Sequence, residues 1–198
     1  TSNAVVFNNT YGAEGEVVLH AAKSVTGTTV KGGQFWFGLY DDTKTLLGSD
    51  YLVKETSGGS VQFKKISYTL ADLGGATSKV FTYYIHELST ADELKDKGGL
   101  LPGYTYDTNW YKVEVTVSDN GNGTLTATEE YFDKAGSSLG TTAPTLVNDY
   151  TVKGETQIYV QKQIIGDTSY VNDDDVFTFK LYAVDGSDKN IKSGSTDK

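Results

Sequence analysis

An all-β fold, an Ig-like β-sandwich module in a tandem array, is what this sequence predicts, on three observations. Apolar and polar residues alternate with period 2 over most of the chain, and no long stripe of helical period competes with that pattern. Valine, threonine and tyrosine, which suit pleated sheets, are abundant, and 22 glycines with only 2 prolines suit many tight turns. Finally, the start of the chain recurs near its end, the mark of a repeated module.

The elements follow in order. The alternation predicts strands over 16–26, 33–41, 45–55, 60–70, 79–88, 104–118, 123–132 and 144–152. Asp119-Asn120-Gly121-Asn122-Gly123 is a turn signal between two strong strands, hence a hairpin. Residues 89–100 are polar and rich in Asp, Glu and Lys, and are expected to form a loop with a short helical turn. Many strands with frequent turns and no long helix read as an Ig-like sandwich.

The repeat sets the domain frame. Phe7-Asn8-Asn9-Thr10-Tyr11, Gly15-Glu16 and Lys23 correspond to Leu146-Val147-Asn148-Asp149-Tyr150, Gly154-Glu155 and Lys162 at a constant offset of 139 residues. Phe35-Trp36-Phe37-Gly38-Leu39-Tyr40 then answers Phe177-Thr178-Phe179-Lys180-Leu181-Tyr182 at an offset of 142. The expected division is therefore residues 1–11 as the last strand of an upstream module, 12–150 as one complete module, and 151–198 as the first strands of a following, incomplete one. The last piece lacks most of a module's strands, so alone it is not expected to bury a core. It is expected to be disordered or completed by another chain; a neighbour's residues 1–11 could supply the missing last strand by strand exchange, which makes neighbouring modules or subunits the expected partners. Thr1-Ser2-Asn3-Ala4 contains a Ser-Asn-Ala string of the kind an expression tag leaves, so the chain reads as an excised fragment.

Charge narrows the function classes. A formal net charge of -9 argues against nucleic acid, which needs clustered Lys and Arg, and against an anionic membrane surface. No apolar run approaches the roughly 20 residues that span a bilayer. Cysteine and methionine are both absent. A secreted β protein without disulfides either has a sufficient core or uses another crosslink.

Side-chain parity offers candidate residues for such a crosslink. Val17, Leu19, Ala21, Lys23 and Val25 share one strand face, so Lys23 sits in an apolar row. Phe81, Tyr83, Ile85 and Glu87 share another, which Glu87 closes; Leu146, Asn148, Tyr150 and Val152 share a third. Lys112 and Glu114, by contrast, fall on the polar side of Val113, Val115 and Val117. The repeat places Lys162 and Asn9 in apolar rows as well. Burial drives a lysine and a glutamate towards their neutral forms. A neutral amine is a nucleophile, and a protonated carboxyl is a hydrogen-bond donor. Beside a carboxamide, Lys23 Nζ could attack Asn148 Cγ while Glu87 polarises the carbonyl and shuttles protons, releasing ammonia. A buried Lys–Glu ion pair with a hydrogen-bonded asparagine is the plainer reading of the same three positions.

The chain resembles the shaft pilins of Gram-positive bacteria, in particular the streptococcal pilin isopeptide-linkage domain. The resemblance is carried by the Lys23 strand, by Gly33-Gln34-Phe35-Trp36-Phe37-Gly38-Leu39-Tyr40, and by Tyr83-Tyr84-Ile85-His86-Glu87. It continues through Gly103-Tyr104-Thr105-Tyr106-Asp107, Val113 to Leu125, and the Asn-x-Tyr endings at Asn9 and Asn148. Leu146 and Asp149 stand where the family favours Phe and Thr, and Leu101-Pro102-Gly103 lacks the Thr-Gly ending of a cell-wall sorting motif. The resemblance implies Ig-like sandwiches strung end to end outside the cell, at its surface or attached to its wall, each with an intramolecular Lys–Asn bond promoted by a glutamate. Here those roles fall on Lys23, Asn148 and Glu87, with Lys162 and Asn9 as the corresponding residues of the partial modules. It implies a structural protein and not an enzyme, beyond one self-modification, and no cofactor.

Other readings are weaker. A ligand-binding adhesin domain, for a carbohydrate or a host protein, would use aromatic faces: Trp36, opposite Phe35 and Phe37 in parity, is the leading sugar contact, with Trp110 a further candidate. A calcium-stabilised module would use Asp173-Asp174-Asp175 or Asp119, Asn120 and Asn122, neither of which matches a full calcium loop, so no metal is expected. A hydrolase is disfavoured because His20 and His86, the only histidines, fall on the polar sides of their strands with no nucleophile motif nearby.

Overall fold

Strands account for most of the regular structure, as the alternation requires, but the chain changes partners more often than the pattern suggests. A computed structural model describes residues 7–154, 157–166, 169, 172, 174–184 and 190–194. Two compact units divide at Lys153/Gly154.

In the first unit a six-stranded sheet runs, edge to edge, β11 (Ser138–Gly140), β10 (Leu125–Phe132), β9 (Trp110–Asp119), β7 (Ser78–Glu87), β3 (Trp36–Tyr40) and β4 (Leu52–Lys54). A four-stranded sheet runs β5 (Ser60–Gln62), β2 (His20–Thr26), β12 (Thr145–Tyr150) and β8 (Tyr104–Thr105). A further antiparallel pair joins β1 (Glu14–Val17) to β6 (Ile66–Thr69). The core is filled from both main sheets, by Phe37, Leu39, Ile85, Val113, Val115 and Val117 on one side and by Ala21, Val61 and Leu146 on the other. The sandwich expected from the sequence is the fold.

The expected strand over 16–26 is two strands. Val17 pairs with Ile66 in one ladder, whereas His20 pairs with Gln62 in another. The 60–70 segment breaks at the same level, into β5 and β6. Alternation of burial continues across the break (Val17, Leu19 and Ala21 are all buried), which is why parity alone cannot detect it. The 104–118 segment also divides, at the loop 106–109 between β8 and β9. Over 45–55 only Leu52–Lys54 is a strand, preceded by a 3₁₀ turn at Ser49–Tyr51. Thr69 and Asp72 cap a second 3₁₀ turn, Leu70–Leu73, at the expected end of the 60–70 strand. The helical turn expected within 89–100 is α1 (Ala91–Leu94), opened by a capping box in which Thr90 accepts from Glu93 N–H and the Glu93 side chain accepts from Thr90 N–H. The alternation does not predict β11, whose three residues are too few to show a period.

The pairing that joins an early strand of the sandwich to its last is parallel. β2 and β12 lie side by side with Lys23 opposite Leu146 and Val25 opposite Asn148. Lys23 and Asn148 are thus one pleat apart on one face of the same sheet.

In the second unit, β13 (Leu181–Val184) pairs antiparallel with β14 (Asn190–Gly194). Ile158, Val160, Phe177 and Phe179 are exposed there. Among the described residues no helix is long and apolar enough to cross a membrane.

Candidate functional site

Between the two main sheets, three polar side chains meet in an otherwise apolar interior. Lys23 is 4% exposed, and Glu87 and Asn148 are fully buried. β2 and β12 deliver Lys23 and Asn148 from the four-stranded sheet, and the end of β7 delivers Glu87 from the six-stranded one. Glu87 stands between the other two. Its Oε2 accepts from Lys23 Nζ at 2.6 Å and its Oε1 accepts from Asn148 Nδ2 at 2.7 Å. The surroundings are aromatic. Lys23 Nζ lies 4.9 Å from the centre of the Phe35 ring, which Tyr104 and Tyr106 meet edge-on.

The orientation of the carboxamide is fixed by chemistry. The backbone N–H of Asp107, which can only donate, lies 2.7 Å from Asn148 Oδ1. That oxygen is therefore the carbonyl, and Nδ2 faces Glu87. The polarising contact expected of Glu87 thus falls elsewhere: Glu87 holds the amide nitrogen, and Asp107 N–H holds the oxygen. The Asp107 carboxylate is itself buried and well held. Its Oδ1 accepts from Asn109 N–H and Nδ2, and its Oδ2 from Tyr111 Oη at 2.7 Å and Val147 N–H at 3.2 Å. A reading of 104–118 as one continuous strand misses this residue. The available signal was Asp107-Thr108-Asn109, an Asx-turn pattern whose aspartate accepts from the N–H two residues on.

Burial moves the titrations of the buried pair towards each other. It raises the Glu87 carboxyl from 4.5 to about 7, against the Lys23 charge and the hydrogen bonds from Lys23 and Asn148. It lowers the Lys23 ammonium from 10.5, against the attraction of Glu87. Moving one proton from ammonium to carboxylate is correspondingly easier than in water, and it leaves a free amine beside a carboxamide. Burial also pushes Asp107 up, but the hydrogen bonds from Asn109, Tyr111 and Val147 outweigh it, so its carboxyl titrates below the ordinary value.

Backbone packing keeps Lys23 in place. Its N–H donates to the Gly59 carbonyl at 2.6 Å, and a Cβ on Gly59, whose φ is +78°, would sit 2.1 Å from the Lys23 carbonyl oxygen. Only glycine fits that approach.

Of the residues assigned to partial modules, Asn9 and Lys162 are both exposed. Lys162 Nζ lies 4.5 Å from the centre of the Phe177 ring. Trp36 is half-buried, and its ring carries two cations, Lys54 and Lys97, each 4.8 Å from its centre. His86, expected on a polar face, is buried instead. Its ring stacks on Trp110 at 4.2 Å with 5° between planes, and Nδ1 donates to the Asn109 carbonyl. The acidic turn has local work: Asp119 accepts from Tyr11 Oη and Gly121 N–H, and Asn120 and Asn122 bond Thr124. Asp173 lies outside the described residues, as do residues 1–6 of the 1–11 segment. Among the described residues no group of three or more His, Asp or Glu is placed to hold a metal.

Known proteins share this sequence pattern. The model of FctA, the Spy0128-like isopeptide-containing domain, matches residues 19–151. The major pilin of Streptococcus pyogenes is similar to this chain at 19% identity, with a TM-score of 0.41 over 68% of this chain and 50% of that one. Two variants of that pilin match at 18% identity with a TM-score of 0.42. The chain spans half the length of these solved pilins. No curated protein matches. The family match covers Lys23, Glu87 and Asn148 together, and the chain belongs to the Spy0128-like isopeptide-containing domain family, the streptococcal pilin isopeptide-linkage domains that its sequence resembles.

Proposed function

We propose that this chain is a structural module of an extracellular pilus or surface stalk, in which Lys23 and Asn148 join in an intramolecular amide promoted by Glu87, and that the bond carries tension. The observation that supports this reading most is the Glu87 carboxylate held between the Lys23 amine and the Asn148 amide nitrogen in a dry interior.

The chemistry balances. Glu87 takes a proton from Lys23, whose freed lone pair attacks Asn148 Cγ. A tetrahedral intermediate forms, with negative charge on Oδ1 and a positive charge on the former lysine nitrogen. Glu87 gives its proton to Nδ2 and removes one from the lysine nitrogen. The Cγ–Nδ2 bond breaks, ammonia leaves, and Glu87 is left protonated. The reaction occurs once per molecule, so the chain is not an enzyme with turnover. Proximity lowers the barrier, since both reacting side chains are held on the same Glu87 carboxylate.

The mechanical consequence comes from topology. β2 and β12 are parallel neighbours, so force entering at the N-terminal side of β2 and leaving after β12 shears that pair. An amide between Lys23 and Asn148 would pass the load through covalent bonds and leave the intervening strands unloaded. In the tandem frame, residues 12–150 form one module, 1–11 the last strand of its predecessor and 151–198 the start of its successor. Neighbouring modules or subunits are then the partners, with strand exchange as the means.

Force spectroscopy on the chain, pulled from its two ends, tests the load-bearing claim. The residues between Lys23 and Asn148 should contribute no extension, whereas Glu87→Ala should release a hidden length on the order of 400 Å. The same release from the unmodified chain would refute it.

A further inference from the structure

We propose that the Asp107 backbone N–H forms an oxyanion hole for the amide-forming step, and that the Asp107 carboxylate is the positioning group that aims it. This rests on the coupling of Lys23 to Asn148 proposed above, and it adds a residue that neither parity nor the lysine–glutamate–asparagine trio includes.

The donor points at the right atom. In the proposed reaction the electrons of the Asn148 carbonyl move onto Oδ1 when the amine adds, so Oδ1 is the atom on which charge develops. Glu87 does not reach it; both Glu87 contacts are to nitrogens. The Asp107 N–H already donates to the ground-state Oδ1 at 2.7 Å, and negative charge developing on that oxygen strengthens the bond. It does so in an interior where solvent cannot compete, because Asn148 is fully buried.

The local ladder has been broken to free that donor. β8 pairs antiparallel with β12 through Tyr104 opposite Tyr150 and Thr105 opposite Asp149. Two residues further along that ladder Asp107 would face Val147, and its N–H would be available to a backbone carbonyl. The ladder instead stops at Thr105. The Asp107 carboxylate accepts from Val147 N–H, and the Asp107 N–H turns to the side chain of the next residue, Asn148. A strand-pairing donor has been redirected to a carboxamide.

The carboxylate also holds more partners than a turn requires. An Asx-turn needs only the Asn109 N–H. Asp107 also accepts from Tyr111 Oη on β9 and from Val147 N–H on β12. Those two contacts tie the 106–109 loop to both sheets, so the N–H is held at a fixed distance from the reacting carbonyl before the reaction begins.

A single-turnover experiment tests this. The chain is assembled by ligation of synthetic peptides in denaturant, so that no Lys23–Asn148 bond forms, and then refolded. Ammonia loss is followed by intact mass, with folding followed separately by NMR. Replacing the amide at residue 107 by an ester removes the N–H and leaves the side chain in place. That chain should fold and lose ammonia about 100-fold more slowly, the cost of one oxyanion donor. Asp107→Asn, which retains only part of the acceptor set, should slow the step at its pH optimum; the Asp107 charge raises the titrations of both Glu87 and Lys23, so its loss should also move both midpoints of the rate down. Tyr111→Phe removes one positioning contact and should give a smaller slowing. Ester and Asp107→Asn chains that fold and couple at the unmodified rate would overturn the proposal. So would an Asp107→Asn effect that appears only as a shifted pH midpoint, which would mean that Asp107 acts through its charge. If the unmodified chain folds without losing ammonia, the coupling reading itself fails, and that result is distinct from both.

Discussion

Lys23 and Glu87 are together unusual in that burial shifts both towards neutrality while each opposes the other's shift. The reactive arrangement, neutral amine beside protonated carboxyl, carries the same single proton as the ion pair. The rate of coupling should therefore be bell-shaped in pH. Below the Glu87 value of about 7 the pair gains a second proton and the lysine holds it as ammonium, without a lone pair, so the rate falls as pH falls. On the alkaline side the pair loses its only proton, at a pH below the ordinary lysine value of 10.5, and no acid remains to protonate the leaving nitrogen. A refolding time course across pH, read by mass, checks this; a pH-independent rate would contradict the assignment of Glu87 as the proton shuttle. Lys23→Arg sharpens the same point. A guanidinium keeps the charge and can still hydrogen-bond but is not a free amine near neutral pH, so the variant should retain its full mass.

At the scale of elements, the parallel contact between β2 and β12 decides whether Lys23 and Asn148 can meet, and Gly59 decides whether β2 can sit there. Its φ of +78° and the 2.1 Å approach to the Lys23 carbonyl leave no room for a side chain. Gly59→Ala should destabilise the fold by more than about 1 kcal/mol, as expected where alanine meets a left-handed backbone. Urea unfolding in a Lys23→Met background, where no covalent bond masks the effect, measures it. The parts of the site legible in the sequence were those that parity encodes. Lys23, Glu87 and Asn148 each interrupt an apolar row, and each is buried. The existence of the sandwich was legible for the same reason. Partner changes were not, because burial alternates without interruption through Val17, Leu19 and Ala21 while the chain passes from one ladder to another. Asp107 was illegible because its contribution is a backbone N–H, which no side-chain pattern reports. His86 was misplaced because the end of β7 is buried on both faces, where Trp110 stacks over the side that parity assigns to solvent.

For the whole molecule, the proposed amide closes a loop that contains nearly all of the sandwich. In the chain-entropy picture such a closure stabilises by roughly 5 kcal/mol, comparable with the total stability of an ordinary domain, about 5–15 kcal/mol. Lys23→Met conserves most of the side-chain volume, removes the nucleophile and leaves Glu87 free to stay neutral. It should lower the melting temperature by about 10–20 °C relative to the coupled chain. Calorimetry of the two proteins checks this, and equal melting temperatures would show that the sandwich needs no crosslink. With no cysteine in the sequence, the amide would take the place that disulfides hold in many secreted β domains.

The most direct measurement is the intact mass of the folded, purified chain. Coupling of Lys23 to Asn148 predicts a deficit of one ammonia relative to the sequence mass, lost on Glu87→Ala substitution and traced by fragmentation to a peptide pair containing the two residues. A folded chain at its full sequence mass would contradict it.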